Sequence, residues 1–153
     1  MIVNIKKLDP NAVIPFRKYK SDFCYDCVAV SEEEIAPDVW KYRLGFALQP
    51  SLLLKNTFKG NFGNNIGFTI RPRSSVWKTG MVLSNSIGTI DEDFTGEISA
   101  VFYHVKPNMP RYKVGDKICQ IHFDICVDIE FKEVDELKET ERGSKGYGST
   151  DKK

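Results

Sequence analysis

KICQIHFDICVDIEF, residues 117–131, decides the fold class. Apolar and polar residues alternate along most of it, the period of a strand with one buried face. Outward from it, the same strand character recurs in EISAVFYHV (97–105), MVLSNSIGTI (81–90), NIGFTIRP (65–72) and YRLGFALQ (42–49). Turn-forming clusters separate these runs: KTG at 78–80, DEDFTG at 91–96, KPNMP at 106–110 and VGD at 114–116. Two of the runs end at proline, Pro50 and Pro72, which cannot donate to a ladder. Many short strands with regular turns predict an all-β sandwich or barrel. No segment before residue 131 carries a helical period over three turns. SLLLKNTF (51–58) reads as a short helix or a loop insertion.

At 153 residues the chain fits one domain with a sizeable core. A formal net charge of +1 gives no long-range steering toward nucleic acid, so none is expected as a partner. Anion affinity must then come from local Arg, Lys and backbone N–H groups. No apolar run is long enough to span a bilayer, and MIVNIKKLDPNA lacks the apolar core of a signal peptide. A cytoplasmic protein without membrane contact is expected. Cys24 and Cys27 form a CxxC, but no second CxxC accompanies it, and Cys119 and Cys126 are seven apart. Both spacings are odd in strand-like sequence, which turns the two thiols to opposite faces. Four buried reduced thiols are expected rather than a zinc site.

The body of the domain is assigned to residues 1–131. From 132 to 153, KEVDELKETERGSKGYGSTDKK is charged, then rich in glycine and serine, and reads as a flexible arm. Within it, Arg142, a single ring at Tyr147, the flexible Gly148 and the hydroxyls of Ser149 and Thr150 are suited to wrapping a phosphorylated ligand.

Four other segments carry chemistry. In RPRSSVWKTG (71–80), Arg73 offers a planar fork of donors, and Ser74 and Ser75 add hydroxyls; the alternative is a polar turn. In SNSIGTIDEDFTGEI (84–98), two strand-like runs flank Asp91-Glu92-Asp93, which predicts a hairpin. Asn85 there presents both donor and acceptor, and Asp91 is either a turn former or a general base. In GDKICQIHF (115–123), Gln120 is a polar residue in an apolar run, either outward-facing or a ligand. In SDFCYDCVAV (21–30), Asp26 must be solvated, paired or near a metal.

In this order and near this spacing, the segments resemble the five motifs of the trimeric dUTP nucleotidohydrolases, the dUTPases, from about residue 20 to the C-terminus. The most specific match is Asn85, Gly88-Thr89-Ile90-Asp91 and Asp93-Phe94-x-Gly96-Glu97-Ile98. The resemblance implies a jelly-roll-like subunit, a homotrimer with shared active sites, and Mg-assisted hydrolysis of dUTP to dUMP and pyrophosphate. It implies that Asp91 deprotonates the attacking water, and that Asn85 with the backbone of Gly88, Thr89 and Ile90 reads uracil. Phe94 excludes a 2′-hydroxyl; Arg73, Ser74, Ser75 and Gln120 hold phosphates. Arg142, Tyr147, Gly148, Ser149 and Thr150 close over the ligand. Asp26 contacts magnesium (Mg2+) through its water shell.

Some positions depart from the pattern. Phe23 and Cys24 stand where the first motif has small residues, Phe94 where tyrosine is common, and 51–66 is longer than the usual connection. A related fold, dCTP deaminase, is a competing reading, but its catalytic glutamate aligns with Val101 and its arginine with Lys78. Without that carboxylate, deamination lacks its acid–base partner. A regulatory nucleotide-binding module is the other competing reading.

Overall fold

The computed structural model describes residues 2–50, 64–127 and 129–146. The 51–58 stretch of open helix-or-loop assignment falls outside them. The described chain is built from ten strands, and its helical content is one short 3-10 turn, Ser74–Lys78. The strands are β1 (Val3–Lys7), β2 (Tyr25–Val28), β3 (Ser31–Ala36), β4 (Val39–Arg43), β5 (Phe46–Pro50), β6 (Asn64–Pro72), β7 (Met81–Leu83), β8 (Gly88–Ile90), β9 (Ser99–His104) and β10 (Lys117–Val127). They form three antiparallel sheets, ordered β1-β5, β2-β10-β6-β8 and β3-β4-β9-β7. The fold is therefore β-sheet throughout, as the alternation predicts.

Two of the expected strands are each divided between sheets. YRLGFALQ breaks at Gly45, whose φ of +74° lies in the left-handed region. The chain leaves β4 there and enters β5 in another sheet. The Gly45 carbonyl accepts from Leu8 N (2.7 Å) and Asp9 N (3.0 Å), which anchors the end of β1. MVLSNSIGTI breaks at a turn in which Ser86 has φ +62° and its N–H donates to the Leu83 carbonyl at 3.1 Å. In consequence the expected hairpin around Asp91 is not a simple one. β7 pairs with β9, while β8, between them in sequence, crosses to pair with β6. The two strands around Asp91 thus belong to different sheets. β3, SEEEIA, was not visible in the alternation because it carries three consecutive glutamates, two of them exposed, on an edge strand.

The core draws on all three sheets. Tyr42, Phe46, Phe68 and Phe102 are fully enclosed, with Leu44, Ile70, Ile98, Ile118 and Ile121 around them. Each such side chain contributes roughly 1.5–3 kcal/mol on burial. The Tyr42 hydroxyl meets the Tyr112 carbonyl at 2.9 Å, which pins the 105–116 connection to β4. From 129 to 146 the described residues are exposed and form no strand or helix.

Gly45 carries the sharpest backbone demand. A Cβ there meets the Asp9 Cβ at 2.9 Å and both Ala12 Cβ and Val30 Cγ2 at 3.0 Å. Gly45→Ala is expected to lower unfolding free energy by about 2 kcal/mol or more, measured by urea denaturation.

Candidate active site

β10 starts at a turn tied to the end of β2. Gly115 has φ +90°, its N–H donates to the Ala29 carbonyl (2.9 Å), and Ala29 N donates to the Asp116 carbonyl (3.0 Å). The Asp116 carboxylate closes the turn by accepting from Lys113 N at 2.8 Å. β10 then bulges between Lys117 and Cys119, and Ile118 and Cys119 are both buried. After the bulge, Gln120 lies opposite Asp26 on β2 and Arg71 on β6, on the face away from the core.

Asp26 is the buried charged residue of this face, 8% exposed. Its Oδ1 accepts from Arg73 Nε (3.0 Å) and Gln120 Nε2 (3.1 Å), and its Oδ2 from Lys117 Nζ (3.2 Å). Burial pulls this carboxyl upward, but the hydrogen bonds from Gln120, Lys117 and Arg73 outweigh it and hold the pKa below the usual carboxylate value. Of the expected phosphate ligands, Arg73 and Gln120 thus converge on the expected metal carboxylate. Arg73 also donates from Nη1 to Ser75 Oγ (3.2 Å) and the Lys117 carbonyl (3.4 Å). Ser74, exposed, starts the 3-10 turn for which extended Arg73 is the cap. A cavity of about 510 Å3 opens here, lined by Arg73, Ser75, Lys78, Arg111, Asp116 and Lys117 among others. Four cations and the Asp116 carboxylate line it, while Asp26 pairs with Arg73 and Lys117 and Glu32 with Arg111 from behind.

Lys117 was missed by the sequence reading. Strict alternation turns Lys117 and Gln120, three apart, to opposite faces; the bulge brings both onto Asp26. The basic residue beside Gly115-Asp116 was the available signal.

The second cluster surrounds Asn85. A cavity of about 240 Å3 is lined by Leu83, Ser84, Asn85, Gly88, Ile90 and Val101 among others. A Cβ at Gly88 meets Asn85 Nδ2 at 2.9 Å, so the amide lies over that glycine. Thr89 faces outward, opposite Thr69 on β6. Asp91 is exposed at the end of β8, and its carbonyl accepts from Phe94 N at 3.2 Å. The Phe94 ring folds onto Gly96, where a Cβ approaches it to 2.5 Å. Among the described residues no hydrogen bond or ion pair joins Asp91 to Arg73 or Gln120, and the two cavities share no lining residue. One chain therefore presents the two clusters separately. Arg142 is exposed, with Nε donating to the Lys145 carbonyl (3.0 Å). Tyr147, Gly148, Ser149 and Thr150 lie outside the described residues.

The family model described as dUTPase matches residues 11–151, which takes in both clusters and the arm. The chain belongs to the dUTPase family. It is 34% identical over 151 residues to a deoxyuridine 5'-triphosphate nucleotidohydrolase of Corynebacterium diphtheriae, covering 97% of this chain and 92% of the relative. It is also 34% identical to one from Nautilia profundicola, covering 99% and 100%. In fold it is similar to the dUTPase of Staphylococcus bacteriophage 80alpha solved with dUpNHpp (TM-score 0.75, 21% identity, 97% of this chain and 97% of that chain). It is similar too to the dUTPase of phage phi11 of S. aureus, in which a species-specific insert is visualised (TM-score 0.69, 18% identity, 92% and 100%).

The family implies magnesium, and Asp26 was the expected contact. As arranged it does not fit that role: both oxygens are filled by N–H donors, and two cations stand within 3.2 Å. Among the described residues no group of three or more His, Cys, Asp or Glu side chains is placed to hold a metal ion. Cys24, Cys27 and Cys119 are free thiols. Cys27 and Cys119 are buried and face each other across β2 and β10, and their mutual hydrogen bond, then burial, pushes Cys27 well up. Cys24, expected to be buried, is only half-buried because it precedes β2 on the Asp26 side. The Cys126 side chain lies outside the described residues. No helix among the described residues is long and apolar enough to cross a membrane.

The depressed Asp26 pKa fixes the sign of a pH effect. The stability it contributes is fully present above the ordinary carboxyl range and is lost as pH falls through the lower folded value. Urea unfolding of wild type and Asp26→Asn across pH should show the largest difference near neutrality, closing in acid. A difference that widens in acid contradicts the pairing.

Proposed function

We propose that this chain hydrolyses dUTP to dUMP and pyrophosphate by attack of water on the α-phosphorus, at sites shared between the subunits of a homotrimer in the cytoplasm. The observation that carries the reading is the pairing, on one chain of the dUTPase family, of a polar cavity built around Asn85 with a separate cavity lined by Arg73, Lys78, Arg111 and Lys117. The first suits a pyrimidine: Asn85 offers an amide donor and acceptor, and Gly88, Thr89 and Ile90 offer edge backbone groups. The second suits a polyphosphate.

In this reading Asp91 takes the proton of the attacking water. It is exposed, and its positioning beside the reacting water supplies its catalytic power. The water oxygen bonds to the α-phosphorus as the bond to the pyrophosphate oxygen breaks. Arg73, Ser74, Ser75 and Gln120 meet the charge that gathers on the phosphate oxygens. Phe94, held against Gly96, blocks a 2′-hydroxyl. Residues 132–153 act as an arm, with Arg142, Tyr147, Gly148, Ser149 and Thr150 closing over the ligand and excluding water. Magnesium, if bound together with the nucleotide, would supply further charge neutralisation. The subunit is read as jelly-roll-like. Separation of the two cavities on one chain supports assembly of each site from different copies.

Deamination of dCTP fits less well. Val101 stands where that reaction needs a glutamate, and it lines the Asn85 cavity, where the described lining holds no carboxylate. The reading is tested by pyrophosphate release from dUTP, dCTP, dTTP and UTP. Rapid turnover of dUTP alone is expected. Asp91→Asn should cut that turnover by about 100-fold or more with nucleotide binding retained. A near-wild-type rate in Asp91→Asn contradicts the mechanism.

A further inference from the structure

We propose that Asp26 is a positioning residue that holds Arg73, Lys117 and Gln120 as one phosphate-facing array, and is not a metal-facing carboxylate. This rests on the reading of Arg73 and Gln120 as phosphate ligands.

Three donors from two segments end on this single carboxylate: Arg73 after β6, and Lys117 and Gln120 from either side of the bulge in β10. Arginine has five N–H donors in a rigid fork. Committing Nε to Asp26 Oδ1 fixes the plane of the fork. Nη1 reaches Ser75 Oγ and the Lys117 carbonyl, and Nη2 makes no hydrogen bond among the described residues. Gln120 commits one N–H of its amide and keeps the second. Lys117 Nζ is held on its other side by the Phe16 ring, 4.7 Å from the centroid.

Asp26 is itself fixed. Its backbone exchanges both hydrogen bonds with Phe16, Asp26 N to the Phe16 carbonyl at 2.8 Å and Phe16 N to the Asp26 carbonyl at 3.2 Å. Arg73 and Lys117 stand on either side of one partly dry carboxylate, and without it two like charges face each other and separate. With it, the three groups carry one net positive charge, and Arg73, Lys117 and Ser75 line the 510 Å3 cavity. The same two cations repel a divalent ion from Asp26.

The positioning role and a metal role differ in an experiment without metal. Calorimetric titration of the intact oligomer with dUpNHpp in EDTA reads the array alone. Magnesium dependence of dUTP turnover reads any metal contact. Asp26→Asn is expected to weaken dUpNHpp binding in EDTA about tenfold, as loss of charge-assisted hydrogen bonds implies, and to leave the half-saturating magnesium concentration unchanged. In an Arg73→Ala background the same change should cost clearly less, because Asp26 acts largely through Arg73.

Unchanged or tighter binding in EDTA overturns the proposal, whether or not magnesium demand rises. If Asp26→Asn fails to fold, Lys117→Gln decides. It keeps the carboxylate but loosens the array, and about threefold weaker binding in EDTA is expected, with no loss counting against the proposal. Absence of dUTP turnover by the wild-type chain sinks the activity reading instead, and the dUpNHpp titration still judges the array.

Discussion

Lys117 and Gln120 are three residues apart on one strand, yet both reach the same carboxylate. A regular strand forbids this, since residues an odd number apart face opposite sides. The bulge at the head of β10 permits it, and the Gly115-Asp116 turn holds the bulge in place against Ala29. The cluster around Asp26 depends on that irregularity. A one-residue slip of β10 turns Gln120 into the core and Cys119 and Ile121 out of it, so the core and the site are specified by the same register.

The sheet fold was legible because period-two alternation survives in the long strands. β6 and β10 pair over nine consecutive positions, and Ile66, Phe68, Ile70, Cys119 and Ile121, buried within that paired stretch, are the alternating set. Less legible was the assignment of strands to sheets. Alternation runs straight through Leu44-Gly45 and through Ser84–Ile87, where the chain changes sheet at Gly45 and at Ser86. A glycine in a strand-like run signals a break without saying which sheet follows, and Ser86 gives no compositional signal of its left-handed backbone. β3 was missed because edge strands carry charge in place of an apolar face.

The site was legible in a different way. Arg73, Gln120, Asn85, Gly88, Asp91 and Phe94 are recognisable as a set because they match a family pattern, not because their periodicity marks them. Physical reasons for the pattern emerge only in three dimensions. Gly88 leaves room for the Asn85 amide, and Gly96 for the Phe94 ring. Asp26 read as a metal contact by resemblance, but its burial and three N–H partners depend on residues far from it in sequence.

Each chain carries Asp91 beside one cavity and Arg73 beside another, with no shared lining. In the proposed reading the two clusters meet between copies, and subunit mixing tests this most directly. Asp91→Asn and Arg73→Ala chains, each inactive alone, are dissociated together, reassembled and assayed with dUTP. Random closed assembly should restore about a quarter of the wild-type sites, those that draw an intact Asp91 from one chain and an intact Arg73 from another. Mixed oligomers that form and remain inactive contradict the account, because they place Asp91 and Arg73 of each working site on the same chain.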